Sequence, residues 1–240
     1  IHLSILFWIS LLFMTFQQKI ILAVFALIFF GCNQTGLIIS TKTIQQHNLV
    51  NVQELDPTLL VELKYSSTDN FMGIDVYGDL ETCYMRRVPA QMLAQAHVLL
   101  KNKYPDLLLL IYDGLRPRSI QWTLWNTLSD VPESERTNFV ANPNTGSIHN
   151  FGAAVDLTIT YKNGNPLDMG THYDYFGELA FPRLEDSLLI AGDLTQEQVD
   201  NRLILRNAMT QAGFSSISTE WWHFDAFPYK VTKEKFTIIE

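Results

Sequence analysis

The stretch SIHNFGAAVDLTIT, residues 147–160, decides the fold and points to the chemistry. From Gly152 onward apolar and polar residues alternate. Ala153, Val155, Leu157 and Ile159 fall on one face and Ala154, Asp156, Thr158 and Thr160 on the other. That is the period of a half-buried strand with Asp156 on its more polar face. His149 precedes Asp156 by seven positions, an odd number, so a straight strand would point the two side chains to opposite faces. A bend at residues 150–152, where Gly152 relaxes the backbone, lets His149 swing back over the strand that carries Asp156.

Upstream, LLLLIYD (107–113) is a short apolar run, the mark of a buried strand that delivers Asp113 and the GLRPR turn at its end. LLVELKY (59–65) alternates like another strand, and STDNFMG after it reads as a loop. Pro89 opens a helix that reaches about residue 104, with Leu93, Ala96 and Leu100 near one face. A second helix runs from about Ser119 to Leu128. A third is announced by the capping box of Thr195 and Gln198 and stops at Gly213. Strands and helices that mix without regular βαβ alternation argue for an α+β class, a single domain with a mixed or antiparallel sheet flanked by helices.

The 240 residues, 47% of them apolar, suffice for one well-packed core. The formal charge is −8 and no Lys/Arg-rich run occurs, which argues against nucleic acid as a partner. Lys19 is followed by the apolar run Ile20 to Phe30 and then Gly31-Cys32, the order of an export signal; eleven apolar residues are too few to span a bilayer. The Gly-Cys junction resembles a bacterial lipoprotein signal, which would leave Cys32 lipid-modified and the protein exported, anchored to the membrane only there. Met14 would start a conventional signal of this kind. The alternative is a spanning helix built from both apolar runs, interrupted by Gln17, Gln18 and Lys19. The expected organisation is thus a signal over residues 1–32, a polar tether over 33–51 and the folded domain over 52–240. After Cys32 only Cys83 remains, so no internal disulfide is expected and Cys83 reads as buried packing.

Two of the six histidines, His149 and His223, lie among other functional side-chain types. His223 follows Glu220 by three positions, which again needs a turn or bulge if both are to face one cavity. Two imidazoles and a carboxylate with an open fourth position form the usual ligand count of a catalytic zinc site. Glu220 would then be placed to take a proton from a metal-bound water.

SIHNFGAAVDLTI followed by EWWHF resembles the S-x-H-x(6)-D and E-x-W-H motifs of the LAS-type zinc peptidases, and most closely the VanX-type D-alanyl-D-alanine dipeptidases. LKYSSTDNF, YDGLRPRS and LDMGTHYDYF extend the resemblance from about Leu59 to Phe224. It implies one Zn2+ per chain on the sheet, held by His149, Asp156 and His223. It further implies Glu220 as catalytic base and Arg116 as stabiliser of the developing oxyanion. Tyr65, Ser147 and Asp174 match the residues that hold the free amino terminus of a dipeptide. Tyr65 reads equally well as a core aromatic. Trp222 is expected to support the His223 loop and Trp221 to narrow the pocket.

The implied activity is hydrolysis of D-alanyl-D-alanine or a related small D-amino-acid dipeptide, in cell-wall turnover outside the cytoplasm. A D,D-carboxypeptidase that trims longer wall peptides would share the zinc site without the ammonium clamp. A wall-binding lipoprotein without turnover would need neither Glu220 nor Arg116.

Overall fold

The longest strands grow from the two runs singled out in the sequence, and they lie side by side at the centre of the main sheet. The computed structural model describes residues 37–240, so the expected signal and Cys32 lie outside the described residues. In chain order the elements are α1 (Thr41–His47), β1 (Leu49–Asn51), α2 (Val52–Leu55), β2 (Leu60–Val61), β3 (Tyr84–Arg86), α3 (Arg87–Lys103) and β4 (Leu107–Asp113). They continue with α4 (Arg118–Thr127), β5 (Ala154–Tyr161), α5 (Glu185–Ala191), α6 (Gln196–Gln211), β6 (Ser215–Ser216), β7 (His223–Asp225) and α7 (Tyr229–Lys235).

The main sheet has the order β2-β4-β5-β7-β6. β2 runs parallel to β4 and every other neighbouring pair is antiparallel, so the sheet is mixed. β1 and β3 form a separate antiparallel pair. The fold is a single α+β domain, as the irregular mixture of elements implied. α3 packs on β4 and on α6, which also meets β5. Val155, Leu157 and Ile159 share one buried cluster with Leu93 and Leu100 of α3 and Leu205 and Met209 of α6. Each such fully buried Leu or Ile contributes about 1.5–3 kcal/mol through removal of its apolar surface from water. Among the described residues no helix is long and apolar enough to cross a membrane.

The helix punctuation follows local chemistry. Thr195 and Gln198 close their capping box, with Gln198 N donating to Thr195 Oγ1 at 3.2 Å and Thr195 N to Gln198 Oε1 at 2.9 Å. α3 starts two residues before Pro89, which the first turn tolerates because its missing N–H has no intrahelical partner there.

Three expectations need correction. Residues 41–51, expected as tether, are folded: Ser40 caps α1, and β1 pairs with β3 with Leu49 and Val50 buried. TKTIQQH carries no apolar stripe, so nothing but its cap marked it as a helix. The strand expected over 59–65 is only β2, because Lys64–Ser66 turns into a 3-10 helix. β5 is buried on both faces through Thr160, not on one alone. The segment after it pairs beside its end, Leu167 N donating to Ile159 O at 2.9 Å, and then crosses its polar face, where the Tyr173 hydroxyl meets Asp156.

Candidate active site and metal centre

Ladder register brings three functional side chains into one row. Asp156 of β5 and His223 of β7 are direct cross-strand partners, so they share a face. On the other side of β5, Ile111 pairs with Leu157 but Asp113 pairs with Asp156, so β4 spends two steps where β5 spends one. This bulge at Tyr112 moves Asp113 onto the face of Asp156, which regular alternation would have given to its neighbour.

His149 enters from the 3-10 turn Ile148–Phe151. Ser147 caps that turn in a capping box with Asn150, and Gly152 ends it at φ 70°. The bend read from the sequence is this turn. It is fastened to the GLRPR segment twice, by Arg116 N to His149 O at 3.2 Å and by Asn150 Nδ2 to Arg116 O at 2.7 Å. Glu220 sits in a bend before β7, which answers the parity conflict, and its Oε2 is 4.0 Å from His223 Nδ1.

His149 Nε2, Asp156 Oδ1 and His223 Nδ1 converge, with separations of 3.2 Å from His149 to Asp156, 2.9 Å from His223 to Asp156 and 3.1 Å between the imidazoles. The outer nitrogens have acceptors of their own. His149 Nδ1 lies 2.7 Å from the Gly114 carbonyl and His223 Nε2 lies 2.8 Å from Asp225 Oδ1. An outer nitrogen facing an acceptor carries the proton, which fixes the tautomer and leaves the inner lone pairs pointing at one another and at a carboxylate oxygen. Three converging acceptors repel unless a cation sits among them, and an imidazole braced by a carbonyl or carboxylate is the usual form of a metal ligand. The donor set therefore fits a divalent metal such as zinc. Burial opposes ionisation of Asp156, yet positive charge beside it, on the imidazoles of His149 and His223 or on a metal between them, holds its carboxyl far below the usual range. Its second oxygen accepts from the Tyr173 hydroxyl at 2.9 Å.

Arg116 is buried and immobilised. Its Nε and Nη2 reach Asp113 Oδ2 at 2.8 and 2.6 Å, its Nη1 reaches Gln121 Oε1 at 3.2 Å, and its Cζ stands 5.0 Å from the Tyr65 ring centroid. Asp113 is completed by the Tyr77 hydroxyl at 2.8 Å and Gly114 N at 2.9 Å. Burial disfavours the guanidinium charge, but Asp113 outweighs it and holds the proton on. Nη2 also lies 3.5 Å from Asp156 Oδ2, which puts a fixed cation beside the ligand cluster.

The Tyr65 hydroxyl donates to Asp174 Oδ2 at 2.9 Å. Asp174 has φ 57°, a left-handed conformation that an aspartate tolerates at some cost. Burial, and then the charge of Asp156, raises its pKa well above the ordinary carboxylate range. Glu220 is raised as well, first by burial, with His223 opposing. One cavity of about 720 Å³ is lined by Tyr65, Arg116, Ser147, His149, Asp156, Asp174, Glu220 and His223, all eight of the residues singled out in the sequence.

A family model described as D-ala-D-ala dipeptidase, Peptidase_M15, matches residues 45–238. The chain belongs to the M15 peptidases. It is 32% identical over 192 residues to the D-alanyl-D-alanine dipeptidase of Escherichia coli (strain K12), covering 79% of this chain and 91% of the relative. It is 32% identical over 191 residues to that of Streptomyces coelicolor, covering 72% and 88%, and 29% identical over 177 residues to that of Enterococcus faecium, covering 68% and 83%.

In this M15 peptidase several site residues escaped the sequence reading. Asp113 was placed at a strand end but given no role, since only the bulge turns it inward. Tyr173 and Asp225 sit next to or two positions from residues already chosen, yet neither spacing nor type marked them. Trp222 lines the cavity and packs edge-on against Tyr173 at 5.4 Å, as a support for the His223 segment should. Trp221 does not narrow the cavity. It turns away, with its indole N–H donating to Thr171 Oγ1 at 2.8 Å. Cys83 is buried and free, and burial pushes its thiol pKa strongly upward, so it is inert packing.

Proposed function

We propose that this M15 peptidase is a zinc-dependent dipeptidase that hydrolyses D-alanyl-D-alanine with a free amino terminus. The observation that carries the reading is the Tyr65–Asp174 pair on the wall of the cavity that also holds the His149, Asp156 and His223 ligand atoms. A carboxylate there rewards an ammonium and leaves an acylated terminus unpaired.

His149, Asp156 and His223 would hold one zinc ion per chain. When bound, the ion supplies acidity to an attacking water and polarises the scissile carbonyl. Glu220 accepts the proton of that water and passes it to the departing amino group, and burial, by raising its pKa, makes it a stronger base for that task. Arg116, locked by Asp113 and Gln121, presents its guanidinium where negative charge develops on the carbonyl oxygen. Tyr65 orients Asp174 toward the substrate ammonium. Ser147 lines the same wall; its Oγ accepts from His149 N at 3.3 Å and keeps a second lone pair that can accept from the substrate ammonium. The apolar run before Gly31-Cys32 supports an exported, lipid-anchored enzyme acting on wall-derived peptides.

The test is hydrolysis of free D-Ala-D-Ala, its N-acetyl form and an N-acylated tripeptide ending in D-Ala-D-Ala, with zinc present and Glu220→Ala as control. Cleavage of the free dipeptide alone, lost in the variant, is the expected result. Release of D-Ala from the blocked tripeptide would instead make the protein a D,D-carboxypeptidase.

A further inference from the structure

Arg202, in α6, is the bulkiest of the fully buried side chains, with 1% of its surface exposed. Its guanidinium spans a loop. Nε donates to the Met169 carbonyl at 2.7 Å and Nη2 to the Leu179 carbonyl at 2.8 Å. Between those two carbonyls the chain carries Tyr173, bonded to Asp156, and Asp174, bonded to Tyr65.

Neighbouring residues of α6 fasten the same end of the loop. Asn201 Nδ2 donates to Asp168 O at 2.9 Å and Gln198 Nε2 to Asp168 Oδ2 at 2.8 Å. The approach is tight at Gly170, where φ is +81° and a Cβ would stand 2.5 Å from Leu194 Cδ2. The Arg202 Cζ also lies 6.0 Å from the ring centroid of Trp221, which holds Thr171 and adjoins Glu220.

This arrangement is costly for packing alone. Nη1 makes no close hydrogen bond, and its counter-charge is Glu185 Oε1 in an ion pair at 3.6 Å. Even a paired cation is expensive to bury, and an apolar side chain of similar volume would fill the space at no greater cost. What an apolar side chain lacks is a planar fork that reaches two carbonyls at once. The left-handed Asp174 needs such a fixture, because a residue at φ 57° persists only when its surroundings over-determine it.

We propose that Arg202 is a positioning residue that clasps both ends of the loop 169–179 and thereby holds Asp174 and Tyr173 at the site. The consequence for substrate rests on the dipeptide reading; the consequence for the loop does not.

The experiment compares hydrogen exchange and steady-state kinetics of the full chain, zinc-loaded, in wild type, Arg202→Met, Arg202→Lys and Glu185→Gln. Arg202→Met and Arg202→Lys are expected to raise exchange at the amides of residues 169–179 by about tenfold or more while β4 and β5 stay as in wild type. The KM for free D-Ala-D-Ala should rise by about tenfold with kcat within roughly threefold, and the preference over the N-acetyl form should narrow. Glu185→Gln keeps both carbonyl contacts and should leave loop exchange at the wild-type level. Unchanged loop exchange in Arg202→Met, or wild-type behaviour of Arg202→Lys, whose ammonium lacks the planar fork, overturns the clasp. A fall in kcat with KM unmoved does so too. If Arg202→Met does not fold, Arg202→Lys carries the test. A wild type that ignores D-Ala-D-Ala removes the dipeptide reading, and loop exchange still decides the clasp.

Discussion

The hydroxyl of Tyr65 reaches Asp174 Oδ2 at 2.9 Å across 109 positions of sequence, and the pair stands on the same cavity wall as the metal-ligand cluster. Removing that hydroxyl leaves the carboxylate free to rotate away from a bound ammonium. Tyr65→Phe is expected to raise the KM for D-Ala-D-Ala about tenfold with little change in kcat, since a bond to a charged group contributes roughly 1.5–3 kcal/mol. Initial rates over a range of dipeptide concentrations check it.

Asp174 has its pKa raised by burial and by Asp156, so in the free protein it stays protonated to a higher pH than an ordinary aspartate. Only the ionised form pairs with an ammonium. The KM for the free dipeptide should therefore climb as pH falls through the raised pKa, well before an unperturbed carboxylate would titrate. Stability carries the opposite sign. A folded pKa above the unfolded one gives a contribution present at low pH and lost as pH rises through the folded value. Asp174→Asn should thus raise Tm at neutral pH while weakening dipeptide binding. A lowered Tm at neutral pH would contradict the assignment.

Asp225 fixes the His223 tautomer through the 2.8 Å contact with Nε2. Asp225→Asn is expected to lower zinc affinity by about 10–100-fold, measured by competition with a chelating dye, without disturbing the fold.

Arg116 compensates the completely buried Asp113. Arg116→Met leaves that carboxylate with only Tyr77 and Gly114 as donors, so urea unfolding should show a loss of about 3–5 kcal/mol. In folded protein kcat should also fall by about 10²–10³-fold, the usual effect of deleting one oxyanion donor.

Much of this was legible because local patterns agreed with the fold. Alternation in GAAVDLTIT and the apolar LLLLIYD gave the two central strands, and the Thr195–Gln198 box gave α6 its start. The candidate ligands His149, Asp156 and His223 could be chosen because residue chemistry and the motif resemblance pointed to them, and strand parity then required two bends, at 150–152 and before 223. Other features depend on contacts between distant segments. Burial of the polar face of β5 owes much to Tyr173, which folds back over it to Asp156. α1 carries a single large apolar residue, Ile44, and gains its place by packing it against the cluster of Leu49, Leu115 and Ile239 beside the β1–β3 pair. The support of His223 by Asp225 is local, yet an aspartate two residues past a histidine in a strand has no spacing signature of its own.

The bulge at Tyr112 makes the active centre a matter of counting as well as of chemistry. Were Leu107–Asp113 to pair regularly with β5 at its present length, Tyr112 would stand opposite Asp156, and Asp113 would fall opposite Val155, turned toward the hydrocarbon interior and away from Arg116. Every functional side-chain type would still be present and the centre would fail. Natural variation here should therefore exchange one apolar residue for another while keeping the irregular step between Ile111 and Asp113.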